Sequence, residues 1–236
     1  MQYRVSSDIF EMYPGYVRGV VVAEGIRMGQ TENPEIAALL REAEADVRER
    51  GDLENVASHP RIASWREAYS RFGARPSKFL SSVEALVRRV RKGGELPYIN
   101  DVAALGNVFS LRYLVPVGGH DVGEVEGDLY LRRAAGDELF TPFGTDVLEA
   151  PEAGEVVYVD GKKVLCRRWT WRQAEFTKLM PESRHIAINI DGLPPVGFAE
   201  VQAVCGEMAE LLVRFCGGKT ARRYLTGGNP VIDLSV

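Results

Sequence analysis

Residues 16–24, YVRGVVVAE, are valine-rich and bounded by glycine, the pattern of a strand. Beyond them the apolar positions recur every three or four residues. Ile36, Leu39, Leu40, Ala43 and Val47 fall on one face of a helix that Asn33 caps, Pro34 begins and Gly51 stops. The glutamates and arginines opposite make a solvated face. A polar connection, 51–60, ends in His59-Pro60. It leads to a second helix with Ile62, Trp65, Ala68, Tyr69 and Phe72 on its stripe and Gly73 after it. A third starts near Ser81, where Ser81 and Glu84 have the spacing of a capping box. Val83, Leu86, Val87 and Val90 form its apolar face, and Gly93-Gly94 closes it. A fourth amphipathic segment runs from about Asn100 to Leu114, before Pro116.

The texture then changes to short β-rich runs at 125–133, 155–160, 163–169 and 185–190. Asp160-Gly161 predicts a hairpin whose turn Lys162 lengthens. Residues 197–216 read as a long helix, apolar at Phe198, Val201, Val204, Met208, Leu211, Leu212 and Phe215. The tail turns at Gly227-Gly228-Asn229-Pro230 into a short strand at 231–234. Helices first, strands next and one helix after them predict an α+β fold with a mixed or antiparallel sheet and flanking helices. With no repeat and no low-complexity linker, the 236 residues read as a single domain. Its core spans about 60–192, with a helical extension at 1–59 and a C-terminal helix at 197–216.

Composition narrows the chemistry. Hydrophobic residues make up 45% and charged residues 26%, which excludes disordered and fibrous classes. A net charge of −4 excludes a strongly basic nucleic-acid coat but leaves room for a local basic patch. Three cysteines without a CxxC pair, and three histidines without HxxxH or HExxH, predict neither a disulfide framework nor a metal site. No cofactor is called for. No signal peptide and no run of eighteen apolar residues is visible, so the expectation is a soluble protein of the reducing cytoplasm without a membrane partner. Oligomeric state is left open.

The stretches WREAYSRFGARPSKFLSSVEALVRRV (65–90), LPYINDVAALGNVFSLRYLVPVGGHD (96–121), GDLYLRRAAGDELFTPFG (127–144), GEVVYVD (154–160) and CRRWTWRQAEFTKL (166–179) together resemble the B3/B4 domain. That domain is the editing module of the β subunit of bacterial phenylalanyl-tRNA synthetase, and freestanding members exist. The resemblance covers about residues 60–192. It implies hydrolysis of a mischarged aminoacyl-tRNA ester, acting here in trans. The partners it implies are the tRNA acceptor end and the aminoacyl side chain.

Such an ester is already activated. Its hydrolysis needs a placed water, a polarised carbonyl and a pocket, and no protein nucleophile. In Pro116-Val117-Gly118-Gly119-His120-Asp121, two glycines allow backbone N–H groups to approach a ligand, as an oxyanion site or a terminal adenosine requires. A plain turn reads equally well. Gly118, Gly119 and His120 are catalytic candidates, and Pro116 and Asp121 are substrate-binding ones. The synthetase pattern has a histidine where this chain has Gly118; His120 is either its displaced counterpart, orienting water or a ribose hydroxyl, or a surface histidine. Asn107 matches an asparagine of the family's helix, while the adjacent family threonine is Gly106. The family glutamate that recognises the tyrosine hydroxyl falls on Asn189, with Asp191 the nearest carboxylate. Both read either as substrate contacts or as an exposed strand end. In CRRWTWRQ a strand would place Arg167, Trp169 and Trp171 on one face and Arg168, Thr170 and Arg172 on the other, a platform for a phosphate and a stacked base or a cation–π pair on a sheet surface. Arg88, Arg89, Arg91 and Lys92, with Arg75 and Lys78, would track RNA phosphates or form a solvated helix face. Competing with the deacylase are a tRNA-binding module of the same fold without catalysis and a binder of a free amino-acid-like molecule.

Overall fold

The capping signals place the helices. The computed structural model describes residues 1–161 and 163–236, so the hairpin turn assigned to Lys162 lies outside the described residues. Asn33 accepts the amides of Glu35 and Ile36 at 3.0 and 3.4 Å and starts α2 (Pro34–Glu49), which follows a short α1 (Ser7–Met12). Next come α3 (Pro60–Arg71), α4 (Ser82–Arg91) and α5 (Asp101–Tyr113), with α6 (Phe198–Cys216) near the end. The Ser81 hydroxyl accepts the Glu84 amide, but Glu84 does not reach back. Its buried carboxylate instead takes Arg66 and Arg88, each at 2.8 Å, so only half of the capping box forms.

The strands make two sheets. Four of them, β3 (Val117–Asp121), β8 (His185–Gly192), β2 (Val17–Glu24) and β9 (Lys219–Leu225), form an antiparallel sheet in that order. The other six, in the order β10 (Val231–Asp233), β1 (Gln2–Val5), β4 (Leu129–Arg133), β5 (Val156–Asp160), β6 (Lys163–Arg167) and β7 (Arg172–Gln173), form a mixed sheet in which β1 runs parallel to β4 and the other strand pairs are antiparallel among the described residues. The fold is α+β, as expected. The stretch 1–59, read as a helical extension, also supplies β1 to the larger sheet and the central strand β2 to the smaller one. Among the described residues no helix is long and apolar enough to cross a membrane.

One face of the smaller sheet packs on α6. A Cβ at Gly19 would run into Cys205 Sγ and stand 2.8 Å from Val201 Cγ1, and one at Gly192 would stand 2.7 Å from Val201 Cγ2. Helix and sheet therefore meet at near backbone distance. Gly19→Ala is expected to cost about 1–3 kcal/mol through overpacking, seen as a lower denaturant midpoint with unchanged slope; an unchanged midpoint would mean that α6 can back away freely.

Candidate functional site

The opposite face of the smaller sheet looks toward the larger sheet, and there the chain buries a charge. Arg18 of β2 and Asp191 of β8 are directly opposed in the ladder. They pair through Nε–Oδ1 at 2.6 Å and Nη2–Oδ2 at 2.8 Å, and the Tyr16 hydroxyl donates to Asp191 Oδ1 at 2.6 Å. The guanidinium carbon lies 5.5 Å from the ring centre of Tyr3 and 5.4 Å from that of Tyr158, both contributed by the larger sheet. A cation held over two aromatic faces and bonded along one edge to a carboxylate thus ties the sheets together.

Beside this pair is a partly open hollow of about 170 Å³ lined by Arg18, His120, Tyr158, Trp171, Asn189 and Asp191 among others. Register explains the grouping. Asn189 stands between Val20 and Gly118, and His120 is opposite Ala187, so Gly118, His120, Asn189, Asp191 and Arg18 share one face. On the far side of β3 a larger groove of about 400 Å³ runs between α5, at Val102, Gly106 and Asn107, and the side chains of Phe143 and Leu179. Hollow and groove have Val117, Gly118, Trp171, Arg172 and Gln173 in common. They meet at Gly118, where an added Cβ would find nothing within 4 Å.

The segment read as a turn is therefore an edge strand. Asp191 N donates to Pro116 O at 3.1 Å. By antiparallel alternation, Gly118 is bonded inward to β8, whereas Val117 and Gly119 turn their amides and carbonyls outward. The outward Gly119 carbonyl accepts Gln173 Nε2 at 2.9 Å, and Asp121 N donates to Thr177 O at 3.1 Å. Of the two glycines, Gly119 is thus the one whose N–H is directed away from the ladder.

His120 is buried, so the surface reading is corrected. Its Nδ1 pairs with Thr177 Oγ1 at 2.9 Å and its ring stands edge-on to Tyr158. Burial, helped by the nearby Arg18 charge, pushes its pKa down from 6.5 to about 3. The ring is neutral at physiological pH and a weak base. Because an unfolded chain takes up this proton near pH 6.5 and the folded one only near 3, stability should fall as pH drops through that window. The slope approaches about 1.4 kcal/mol per pH unit for one proton. Unfolding titrations of His120→Gln should lack this component; an equal acid slope in both proteins would place the loss elsewhere.

The other candidates divide. Asn107 is half-buried and lines the groove, as do Gly118 and Gly119. Pro116, Asn189 and Asp191 line the hollow, and Asn189 and Asp191 are buried, which corrects the exposed strand end. Asp121 lines neither; its carboxylate accepts the Gly123 amide at 2.9 Å. The alternation expected for CRRWTWRQ fails because Arg168 and Trp169 adopt φ of 44° and 65° and turn the chain after β6. Arg167 is drawn inward onto Glu155, with two contacts of 2.9 Å, and onto Glu149, so it does not face RNA. Trp169 is a core residue that also lines the hollow, edge-on to Tyr13, Tyr16 and Trp65, rather than a surface platform. Arg172 is half-buried where hollow and groove meet. Arg88 is tied to Glu84, whereas Arg89 is exposed. Arg75 and Lys78 edge a third hollow of about 310 Å³ with Phe79, Glu152 and Arg168. Arg168 lies 3.7 Å from the Phe79 ring centre and 4.7 Å from that of Trp171, which links this basic rim to the groove.

Sequence reading missed Arg18, Tyr16, Tyr158 and Gln173. Only Arg18 left a signal, a lone charge in a valine-rich strand. The thiol of Cys166, also on the hollow, is pushed up to about 12 by burial and is no nucleophile at neutral pH. Among the described residues no group of three or more His, Cys, Asp or Glu side chains is placed to hold a metal ion.

A model of the B3/4 domain matches residues 64–217 of the chain. Among solved structures, an N-terminal fragment of the phenylalanyl-tRNA synthetase beta-subunit from Pyrococcus horikoshii is similar at 14% identity and a TM-score of 0.48. The match covers 92% of this chain and 49% of that one, so the chain spans about half the fragment's length. No curated protein matches the chain.

Proposed function

The chain belongs to the B3/4 domain family, and on that premise we propose that it is a trans-acting aminoacyl-tRNA deacylase, which hydrolyses the ester of a mischarged tRNA. The observation that carries this reading is the junction at Gly118, where a partly open hollow bordered by Arg18, Asn189 and Asp191 meets a wider groove past a glycine edge strand. A side chain enters the hollow. The ester carbonyl stops at the strand edge, within reach of the outward Gly119 N–H as an oxyanion donor. The terminal adenosine lies in the groove, with Asn107 as a polar contact and Phe143 and Trp171 as stacking faces. Water is the nucleophile. His120 is not the base; held neutral by its surroundings, it shapes the hollow. Arg172 at the junction and Arg75, Lys78 and Arg89 outside it take phosphates, a small set that suits brief, salt-sensitive contact with tRNA.

The test is release of amino acid from a panel of correctly and wrongly charged tRNAs, with His120→Ala and Asn189→Ala alongside. Release confined to one class of amino acid and altered by Asn189→Ala is the expected result. No release from any, with salt-sensitive tRNA binding retained, would overturn the enzyme reading in favour of a tRNA-binding module. That second reading draws on the weak basicity of His120, which leaves the water without an evident protein base.

A further inference from the structure

Four polar atoms of residues that line the hollow are buried and have no hydrogen-bond partner among the described residues. They are Nη1 of Arg18, Oδ1 of Asn189, the hydroxyl of Tyr158 and Nε1 of Trp169. Their residues are 1%, 4%, 1% and 1% exposed. The guanidinium fork explains the first. Nε and Nη2 lie along one edge and are committed to Asp191, so Nη1 points away from that carboxylate. Asn189 stands beside Gly118 in the ladder, so a side chain entering at the junction passes the amide on its way to the guanidinium. A buried donor and a buried acceptor, both unanswered by the protein, define a ligand group that accepts from one and donates to the other.

We propose that Arg18 is a specificity-determining residue: with Asn189 it reads the tip of the aminoacyl side chain and selects a neutral tip, a hydroxyl or a carboxamide, that accepts from Arg18 Nη1 and donates to Asn189 Oδ1. This rests on the aminoacyl-ester reading above. An apolar tip leaves both groups unpaired. A carboxylate gives Asn189 Oδ1 nothing to accept, and the one positive charge beside it, Arg18, is already balanced by Asp191. Volume does not make the choice. The hollow of about 170 Å³ exceeds the roughly 150 Å³ cavity known to accept a benzene ring, so aliphatic and aromatic side chains of ordinary size fit by volume and are turned away by polarity.

The experiment measures binding rather than turnover. Adenosine carrying an aminoacyl group through a hydrolysis-resistant amide is titrated by calorimetry in matched pairs: threonyl against valyl, asparaginyl against leucyl and against aspartyl, and tyrosyl against phenylalanyl. In at least one pair the neutral polar member is expected to bind about 100-fold tighter or more than its apolar partner. The pairs separate hydroxyl from carboxamide. Asn189→Leu leaves the ion pair intact and should shrink that preference at least tenfold, with the tightest apolar analogue unchanged or improved. This keeps the test sound even where Arg18 variants do not fold. Equal binding of polar and apolar tips, or preference for aspartyl over asparaginyl, would overturn the inference while leaving the ester site standing. Failure of every analogue to bind would remove both.

Discussion

Arg18→Met is expected to lower the free energy of unfolding by about 3–5 kcal/mol, the usual consequence of leaving a buried charge without its counterion. Asp191 would keep only the Tyr16 hydroxyl, and Tyr3 and Tyr158 would lose the cation between the sheets. The companion experiment separates charge from shape. The double variant Arg18→Met, Asp191→Leu removes both charges at similar volume and should recover most of the loss, since apolar replacements of buried pairs are often neutral or better. Chemical denaturation of the wild type, each single variant and the double variant closes the cycle. If the double variant is as unstable as Arg18→Met, packing around the guanidinium dominates and the electrostatic account fails.

Gly118→Leu is expected to reduce amino-acid release by about 100-fold or more while leaving stability nearly unchanged. The backbone at Gly118 is not in the left-handed region, and an added Cβ meets nothing within 4 Å, so the fold has room for the side chain. The same room is the passage from groove to hollow, and misplacing a reacting ester by about 1 Å there is enough for a loss of that size. Single-turnover release, read beside thermal unfolding, checks both halves. A fully active Gly118→Leu protein would show that the ester does not pass this point.

Where structure follows local chemistry, the sequence was readable. Asn33 and Ser81 announce α2 and α4 through their caps, and the three-and-four spacing of Ile36 to Val47 gives the face that α2 buries. Where structure follows pairing, it was not. β3 contains two glycines and becomes a strand only because β8 supplies a ladder, and β9 carries Arg222 and Arg223 with no alternating apolar run. The turn through Arg168 and Trp169 has no glycine or asparagine to mark it. The candidate site was legible in part. The glycine pair and Asn189 come together because register sets β3 beside β8, whereas Asn107 stands apart on α5, along the groove. The Arg18–Asp191 pair joins residues 173 positions apart, and a lone arginine among valines does not say which carboxylate it meets.

The placement of that arginine bears on how proteins of this shape diverge. One guanidinium both joins the two sheets and borders the hollow, so a single substitution at 18 alters the hollow's chemistry only at a cost that is a large fraction of a domain's stability. Lineages that change what they accept are therefore expected to keep Arg18 and vary Asn189, or to exchange positions 18 and 191 together. Promiscuity can drift through the amide, whereas the guanidinium and its carboxylate can only be inherited or replaced as a unit.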